Sequence, residues 1–182
     1  MSTQSMIYYD VMDTPVGDLT ILATDEGILR VDYGRFEELH SFYHSWTKKH
    51  LLRSSFTHLP EHEYAKQAAK ELQEYFARER ETFTLPLICY GTPFQKSVWR
   101  ALIEHIPLGE TKSYKDIALA LQASQSVRAV GGAINKNPFS IVVPCHRVIG
   151  SNGKLVGYAG GLHRKRQLLE LESYRHRMKV KG

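Results

Sequence analysis

The chain has 182 residues, 42% of them hydrophobic and 10% aromatic, with a net charge of +5 and an isoelectric point near 9.2. That composition excludes a disordered chain and suffices for one large or two small packed domains, while the excess positive charge favours a polyanionic partner. No apolar run approaches the length that crosses a bilayer, and Met1 to Asp10 lacks the basic-then-apolar order of a secretion signal, so a cytoplasmic protein with no membrane partner is expected. Cys89 and Cys145 are too few for a disulfide framework and are expected as free thiols, Cys89 as a packing residue. The nine histidines are scattered without zinc-finger spacing, so no metal or cofactor is expected.

In chain order, Met6 to Val11, Leu19 to Thr24 and Gly27 to Asp32 are short β-rich runs separated by Thr14-Pro15-Val16-Gly17 and Asp25-Glu26-Gly27, which predicts an antiparallel meander. Gly34 to Leu59 is polar and aromatic and carries no decisive pattern. Glu61 to Arg80 reads as a helix with acidic residues in its first turn, Arg78 and Arg80 in its last, and Tyr64, Ala68, Leu72, Tyr75 and Phe76 on one face. Thr82 to Gly91 is an extended connection, with a domain boundary expected near residue 86. Thr92-Pro93-Phe94-Gln95 is a capping-box helix start, followed by Val98, Leu102 and Ile106 at four-residue spacing. Ser113 caps a short helix with Tyr114, Ile117, Ala118 and Leu121 inward, and another helix runs from Ser126 to Lys136. Segments 113–122 and 126–136 together fit a helix-turn-helix. Ile141-Val142-Val143 reads as a short buried strand, Gly150 to Gly161 as a glycine-rich loop, and His163 to Tyr174 as a final helix with a basic tail, Arg175 to Lys181, beyond it.

Two stretches carry chemistry. The second helix of the pair reads Ser126-Val127-Arg128-Ala129-Val130-Gly131-Gly132-Ala133-Ile134-Asn135, where a major-groove reader would offer long polar side chains. Two interior glycines cost about 1 kcal/mol each relative to alanine. Close approach to something flat or narrow, such as a minor groove, compensates for that, and so does tight packing inside the domain. In Val143-Pro144-Cys145-His146-Arg147, a cysteine has an imidazole beside it that can take its proton. Neighbours in a regular strand face opposite ways, so the pair cooperates only if the chain turns there or a water bridges it. Among the other residues, Lys165 in His163-Arg164-Lys165-Arg166 reads as part of a solvated basic face, Glu172 as a surface carboxylate, and Trp46 and Trp99 as core or interface.

Pro144-Cys145-His146-Arg147-Val148 followed by Gly157-Tyr158-Ala159-Gly160-Gly161, with Arg128-Ala129-Val130-Gly131 and Asn135-Lys136-Asn137-Pro138 upstream, resembles the methylated-DNA–protein-cysteine methyltransferases, most closely their bacterial stand-alone type. The strong match covers residues 92 to 172, and the N-terminal half is similar only in general pattern. The resemblance implies an α/β, ribonuclease-H-like domain over 1–86, with a small antiparallel sheet plus helix, and a mainly α, winged helix-turn-helix-like DNA-binding domain over 87–182. It implies irreversible, single-turnover transfer of the alkyl group of O6-methylguanine, and of O4-methylthymine, from double-stranded DNA to Cys145, with the base flipped through the minor groove; separately, a monomer is expected.

The same resemblance assigns the site residue by residue. Cys145 would be the acceptor, His146 its base through a water, and Glu172 the group that orients His146. Asn137 would brace the turn, and Tyr114 would contact the guanine and help rotate its phosphate. Arg128 would take the base's place in the stack, with Ser113, Ala129, Gly131 and Gly132 along the DNA. Val148, Tyr158, Ala159, Gly160 and Ile134 would line the pocket. Two departures concern substrate range: Gln167 stands where the family often has an aromatic residue, and Ala159 where some members have serine. On the residues alone, two other readings stay open: a DNA-binding regulator without chemistry, from the helix pair, and a cysteine hydrolase, from Cys145 and His146.

Overall fold

The computed structural model describes residues 4–51 and 53–180, with side chains described as far as Ser173. The chain divides into two compact units, Met1–Tyr90 and Gly91–Gly182. In the first, β1 (Ser5–Met12), β2 (Leu19–Thr24) and β3 (Gly27–Tyr33) form the expected antiparallel meander. The sheet is nevertheless mixed, not antiparallel throughout. Gly34 to Leu59 folds into α1 (Phe36–Leu51) and β4 (Ser54–His58), and β4 pairs parallel with β1, giving the order β3-β2-β1-β4. A helix between two strands returns the chain to the sheet in the parallel sense. β4 is an edge strand, Ser-Ser-Phe-Thr-His, so it carries no apolar alternation by which to find it.

Phe36 and Tyr43 of α1 pack on Ile7, Leu22 and Leu29. β2 is buried at five successive positions, as a strand covered on both faces must be, and α2 (Glu63–Phe76) packs against it through Ala65, Ala68, Leu72 and Tyr75. α2 ends four residues before Arg80 because Arg78 takes a left-handed φ of 63°, and Arg80 turns back to Glu74 at 2.8 Å instead of closing a last turn. Buried Glu71 then accepts from the Thr84 amide at 2.9 Å and ties the connection to the helix. Ile28 N–H donates to Pro86 O at 2.8 Å and Ile88 N–H to Ile28 O at 2.9 Å. Residues 86–88 therefore run along the edge of β3, and the first unit continues to Tyr90, a few residues past the boundary expected near residue 86. Gly27 permits this approach: a Cβ there would sit 2.5 Å from Pro86 O.

The second unit begins with α3 (Pro93–His105), whose Thr92 and Gln95 form both halves of the capping box. A two-residue strand, β5 (Lys112–Ser113), leads into α4 (Tyr114–Ala120), and a 3-10 turn at Ser124–Ser126 into α5 (Val127–Asn135). These three helices bury Val98, Trp99, Leu102, Ile117, Ala118, Val130, Ala133 and Ile134, and the Trp99 indole donates to Ala133 O at 2.9 Å. Residues 141–143 are not the expected strand. They are buried but turned, with Ile141 at φ 71°, a conformation that β-branched residues rarely adopt. An apolar run of three residues announces burial without announcing geometry. After the turn, β6 (Val148–Ile149) pairs parallel with β5, and α6 (Leu162–Val180) closes the unit. The backbone of α6 continues through most of the basic tail, whose side chains lie outside those described.

Thr92→Ala removes the acceptor for the Gln95 amide and should lower the stability of the second unit by about 1 kcal/mol in urea unfolding. An unchanged midpoint would mean that the box contributes nothing.

Candidate active site

The polypeptide brings its reactive groups together by a turn and a pairing. Cys145–Arg147 is a 3-10 turn, closed by Arg147 N–H to Pro144 O at 3.0 Å. With about three residues per turn, successive side chains leave it in different directions without being opposed, so Cys145 reaches Asn137 while His146 and Arg147 converge on Glu172. The β5–β6 pairing sets Ser113 beside Ile149 and so holds the start of α4, including Tyr114, beside the chain that leaves this turn.

Asn137 braces the turn from the end of α5. Its Oδ1 accepts from Phe139 N–H at 2.8 Å, and its Nδ2 reaches Val143 O at 3.0 Å and Cys145 Sγ at 3.1 Å. His146 is fully buried, with Nε2 2.6 Å from Glu172 Oε1 and with Nδ1 buried and without a hydrogen-bond partner among the described residues. Arg147 also bonds Glu172, through Nε to Oε2 and Nη2 to Oε1, both at 3.0 Å, and donates from Nη1 to Ile106 O at 2.7 Å. Glu172 is 2% exposed: it is not the surface carboxylate that its place on a terminal helix alone suggests, and it stands against His146, where the resemblance places it.

Lys165 overturns the expectation of a solvated basic face. It is completely buried, and its ammonium donates to the carbonyls of Val148, Val156 and Gly157, the last two at 3.1 Å. It thereby fastens the glycine-rich loop to β6. The His-Arg-Lys-Arg run hides it, but Lys165, Leu168 and Glu172 follow one another at helical spacing, and all three are buried on α6. That stripe was the available signal. Arg147 gave no comparable signal beyond its place next to Cys145 and His146.

Burial pushes the Cys145 thiol above its ordinary range, and the Asn137 hydrogen bond and the Lys165 charge pull it part of the way back. Burial lowers Lys165, and the nearby Cys145 opposes that. The Tyr114 phenol is raised by burial and by Cys145, and it donates to Val156 O at 3.1 Å. Burial would raise Glu172, but His146 and Arg147 outweigh it and hold the carboxyl at about 2. The resting Cys145 thiol is thus neutral.

The remaining residues divide into two sets. Gly157, Tyr158, Ala159 and Gly160 form the loop over the site. Ala159 is exposed, and Gly161 N–H donates to Tyr158 O at 2.9 Å. Ile134 is buried on the inner face of α5, and Ser113 serves as the cap of α4, accepting from Asp116 N–H at 3.0 Å. Arg128, Ala129 and Gly132 are exposed on α5 and Gly131 is half-buried. A Cβ at Gly132 would meet nothing within 4 Å, and one at Gly131 would only touch the Tyr114 ring at 3.7 Å. Packing inside the unit therefore does not require these glycines. The charge is also divided: residues 1–90 hold 14 acidic and 9 basic side chains, a net −5, whereas residues 91–182 hold 5 and 15, a net +10. Cys89 is half-buried, Trp99 buried, and Trp46 part of the first unit's aromatic cluster. Among the described residues no three His, Cys, Asp or Glu side chains gather as metal ligands, and no helix is long and apolar enough to cross a membrane.

A helix-turn-helix unit that carries a buried thiol with its own relay defines the class, and known proteins share both halves of the chain. Residues 7–88 match the family model for the 6-O-methylguanine DNA methyltransferase ribonuclease-like domain, and residues 93–174 match that for its DNA-binding domain. The chain is 40% identical over 166 residues to the methylated-DNA–protein-cysteine methyltransferase of Methanosarcina barkeri, covering 91% of this chain and 97% of that one. It is 46% identical over 155 residues to the constitutive enzyme of Bacillus subtilis, with 85% and 88% covered. The crystal structure of Mycobacterium tuberculosis OGT in complex with DNA superposes with a TM-score of 0.76 at 39% identity, covering 92% of this chain and 94% of that one. The chain belongs to the methylated-DNA–protein-cysteine methyltransferase family.

The depressed Glu172 carboxyl makes stability depend on pH. A folded value of about 2 against an ordinary 4.5 means that its contribution is complete above the unfolded value and is lost as pH falls toward about 2. That contribution is of the order of 3 kcal/mol. Urea melts at descending pH should show this loss, and Glu172→Gln should flatten it; equal acid slopes in both proteins would refute the assignment.

Proposed function

We propose that the protein repairs alkylated double-stranded DNA by moving the alkyl group from O6 of guanine onto Cys145. The observation that carries this reading is the buried thiol, braced by Asn137, beside an imidazole that Glu172 holds by its other nitrogen. As the thiol attacks the alkyl carbon, the S–C bond forms and the C–O6 bond breaks. The thiol proton passes through a water to His146 Nδ1, and the departing guanine takes a proton at O6 or N1, with Tyr114 as its donor. The product is a thioether, which water does not readily cleave, so each molecule reacts once. The same chemistry extends to O4-methylthymine. The cysteine-hydrolase reading gives no role to the glycine-faced helix, and a regulator without chemistry gives none to the relay.

A base inside a duplex is out of reach of this thiol, so the nucleotide must rotate out, at a cost of a few kcal/mol. Arg128 is exposed on α5 and would occupy the space that the base leaves, while Ala129, Gly131 and Gly132 let the helix backbone enter the minor groove and Ser113 lies along the strand. Val148 O accepts from Lys165 and retains a second lone pair for the base, with Tyr158, Ala159, Gly160 and Ile134 around it. Phosphate attraction would come from the second unit, which carries the positive charge. Every group named comes from one chain, so a monomer suffices, and an acceptor thiol that must stay reduced suits the cytoplasm.

The first test is the intact mass of the protein after incubation with a duplex carrying one O6-methylguanine. A gain of one CH₂, mapped to Cys145 and absent in Cys145→Ser, is expected; no gain, or transfer continuing beyond one equivalent, would overturn the reading. A second test separates fold from function at Gly132. Gly132→Ala should stabilise α5 by about 1 kcal/mol, because the new methyl group meets no neighbour, while weakening duplex binding by roughly tenfold. Unchanged affinity would show that the bare helix face is not the DNA surface.

A further inference from the structure

We propose that Arg147 is a positioning residue of the transfer reaction: its guanidinium fixes an ionised Glu172 against His146 Nε2 and so leaves His146 Nδ1 as the bare nitrogen that takes the thiol proton. This rests on the alkyl-transfer reading above. Arg147 is 6% exposed and spends all three guanidinium nitrogens inside the protein, two on the Glu172 carboxylate and one on Ile106 O. Ile106 is the terminal cap of α3, so the guanidinium is anchored to the framework of the helix-turn-helix and cannot follow Glu172 if that side chain drifts. Oε1 of Glu172 is shared, receiving both Arg147 Nη2 at 3.0 Å and His146 Nε2 at 2.6 Å.

The hydrogen-bond inventory gives this arrangement its meaning. An ionised carboxylate only accepts, so Nε2 must carry the ring hydrogen, and the lone pair of the neutral ring is then on Nδ1. A protonated Glu172 would do the reverse: it would donate to Nε2, move the ring hydrogen to Nδ1 and abolish the base. Burial by itself favours that inactive form. Arg147 carries its charge throughout the reaction and opposes that protonation. When the thiol proton reaches Nδ1, the carboxylate already in place balances the new imidazolium. The titratable and charged groups around Glu172 are His146 and Arg147 from the turn, with Arg166 and Glu170 of α6 and Glu110 of the connection before β5 sharing a cavity of about 230 Å³ with it.

The test is the single-turnover rate of methyl transfer from an O6-methylguanine duplex, measured as a function of pH. Wild type, Arg147→Gln, Arg147→Lys, Glu172→Gln and the double variant Arg147→Gln/Glu172→Gln are compared, with duplex binding as the check that each is folded. Arg147→Gln should lose roughly a hundredfold in rate, the low end of what positioned proton transfer contributes, with the acid limb of its profile moved to higher pH. Arg147→Lys should recover part of the rate. The double variant should be no slower than Glu172→Gln alone, because Arg147 acts through that carboxylate. If Arg147→Gln does not fold, the decision rests on the lysine and double variants, the latter leaving no buried carboxylate unpaired. A double variant markedly slower than Glu172→Gln, or Arg147 variants with the wild-type rate and profile, would overturn the inference. Wild type that transfers nothing would overturn the functional reading instead.

Discussion

Glu172 keeps a full negative charge while only 2% exposed, and the reactive end of the second unit is built around that charge. Removing two or three charges from water costs several kcal/mol each, and well-packed apolar side chains of similar volume would often serve stability as well or better. The His146–Glu172–Arg147 triad is therefore poorly explained as a stabilising device. It is well explained as a means of holding one imidazole in one orientation and one tautomer. The fold serves the same end, with α3 anchoring Arg147 through Ile106 O, the 3-10 turn presenting His146 and Arg147, and α6 supplying the carboxylate.

Two turns earlier on the same face of α6, Lys165 completes the arrangement from the other side of the nucleophile. Its three carbonyl partners hold the loop from Val156 against β6, and its charge opposes the burial that keeps Cys145 protonated. The outcome is a thiol that is neutral at rest and, on the proposed reading, is deprotonated only as it attacks. For a protein that spends itself in one reaction this is the better arrangement. A standing thiolate would be open to oxidation and to stray electrophiles, because the thiolate is the reactive form. A buried thiol with a poised base keeps its single transfer for a substrate that can enter the pocket.

The parts of the fold that announce themselves do so through local chemistry. The Thr92–Gln95 box, the cap at Ser113 and the turns of the meander are decided by side chains within a few residues, and they stand where their residues predict. β4 was illegible because an edge strand with one apolar residue has nothing to alternate, and its pairing with β1 is settled only by where α1 delivers it. Ile141 to Val143 misled for the opposite reason, since their apolar character was plain, but the path of the backbone follows from Asn137 gripping Phe139, Val143 and Cys145. In the site, the Pro-Cys-His-Arg motif marked the nucleophile and its neighbour. Buried Lys165 and the fork of Arg147 were invisible because a basic residue next to other basic residues reads as solvated. Only their tertiary partners, backbone carbonyls and Glu172, reveal that they are inside.

The same separation of local from tertiary cause bears on how the protein can meet DNA. The first unit, with a net −5, offers no attraction to phosphates, whereas the second, at +10, does. On α5 that attraction is combined with a face of alanine and glycine that has few donors or acceptors to offer to base edges, and Arg128 stands alone among them. Direct readout needs such groups at several positions, whereas a smooth helix face with one long cation reads shape and deformability. A damaged pair is easier to open than an intact one, so the energy of extrusion itself discriminates. On the alkyl-transfer reading proposed above, specificity then rests on the chemistry of the extruded base at Cys145 and not on its neighbours.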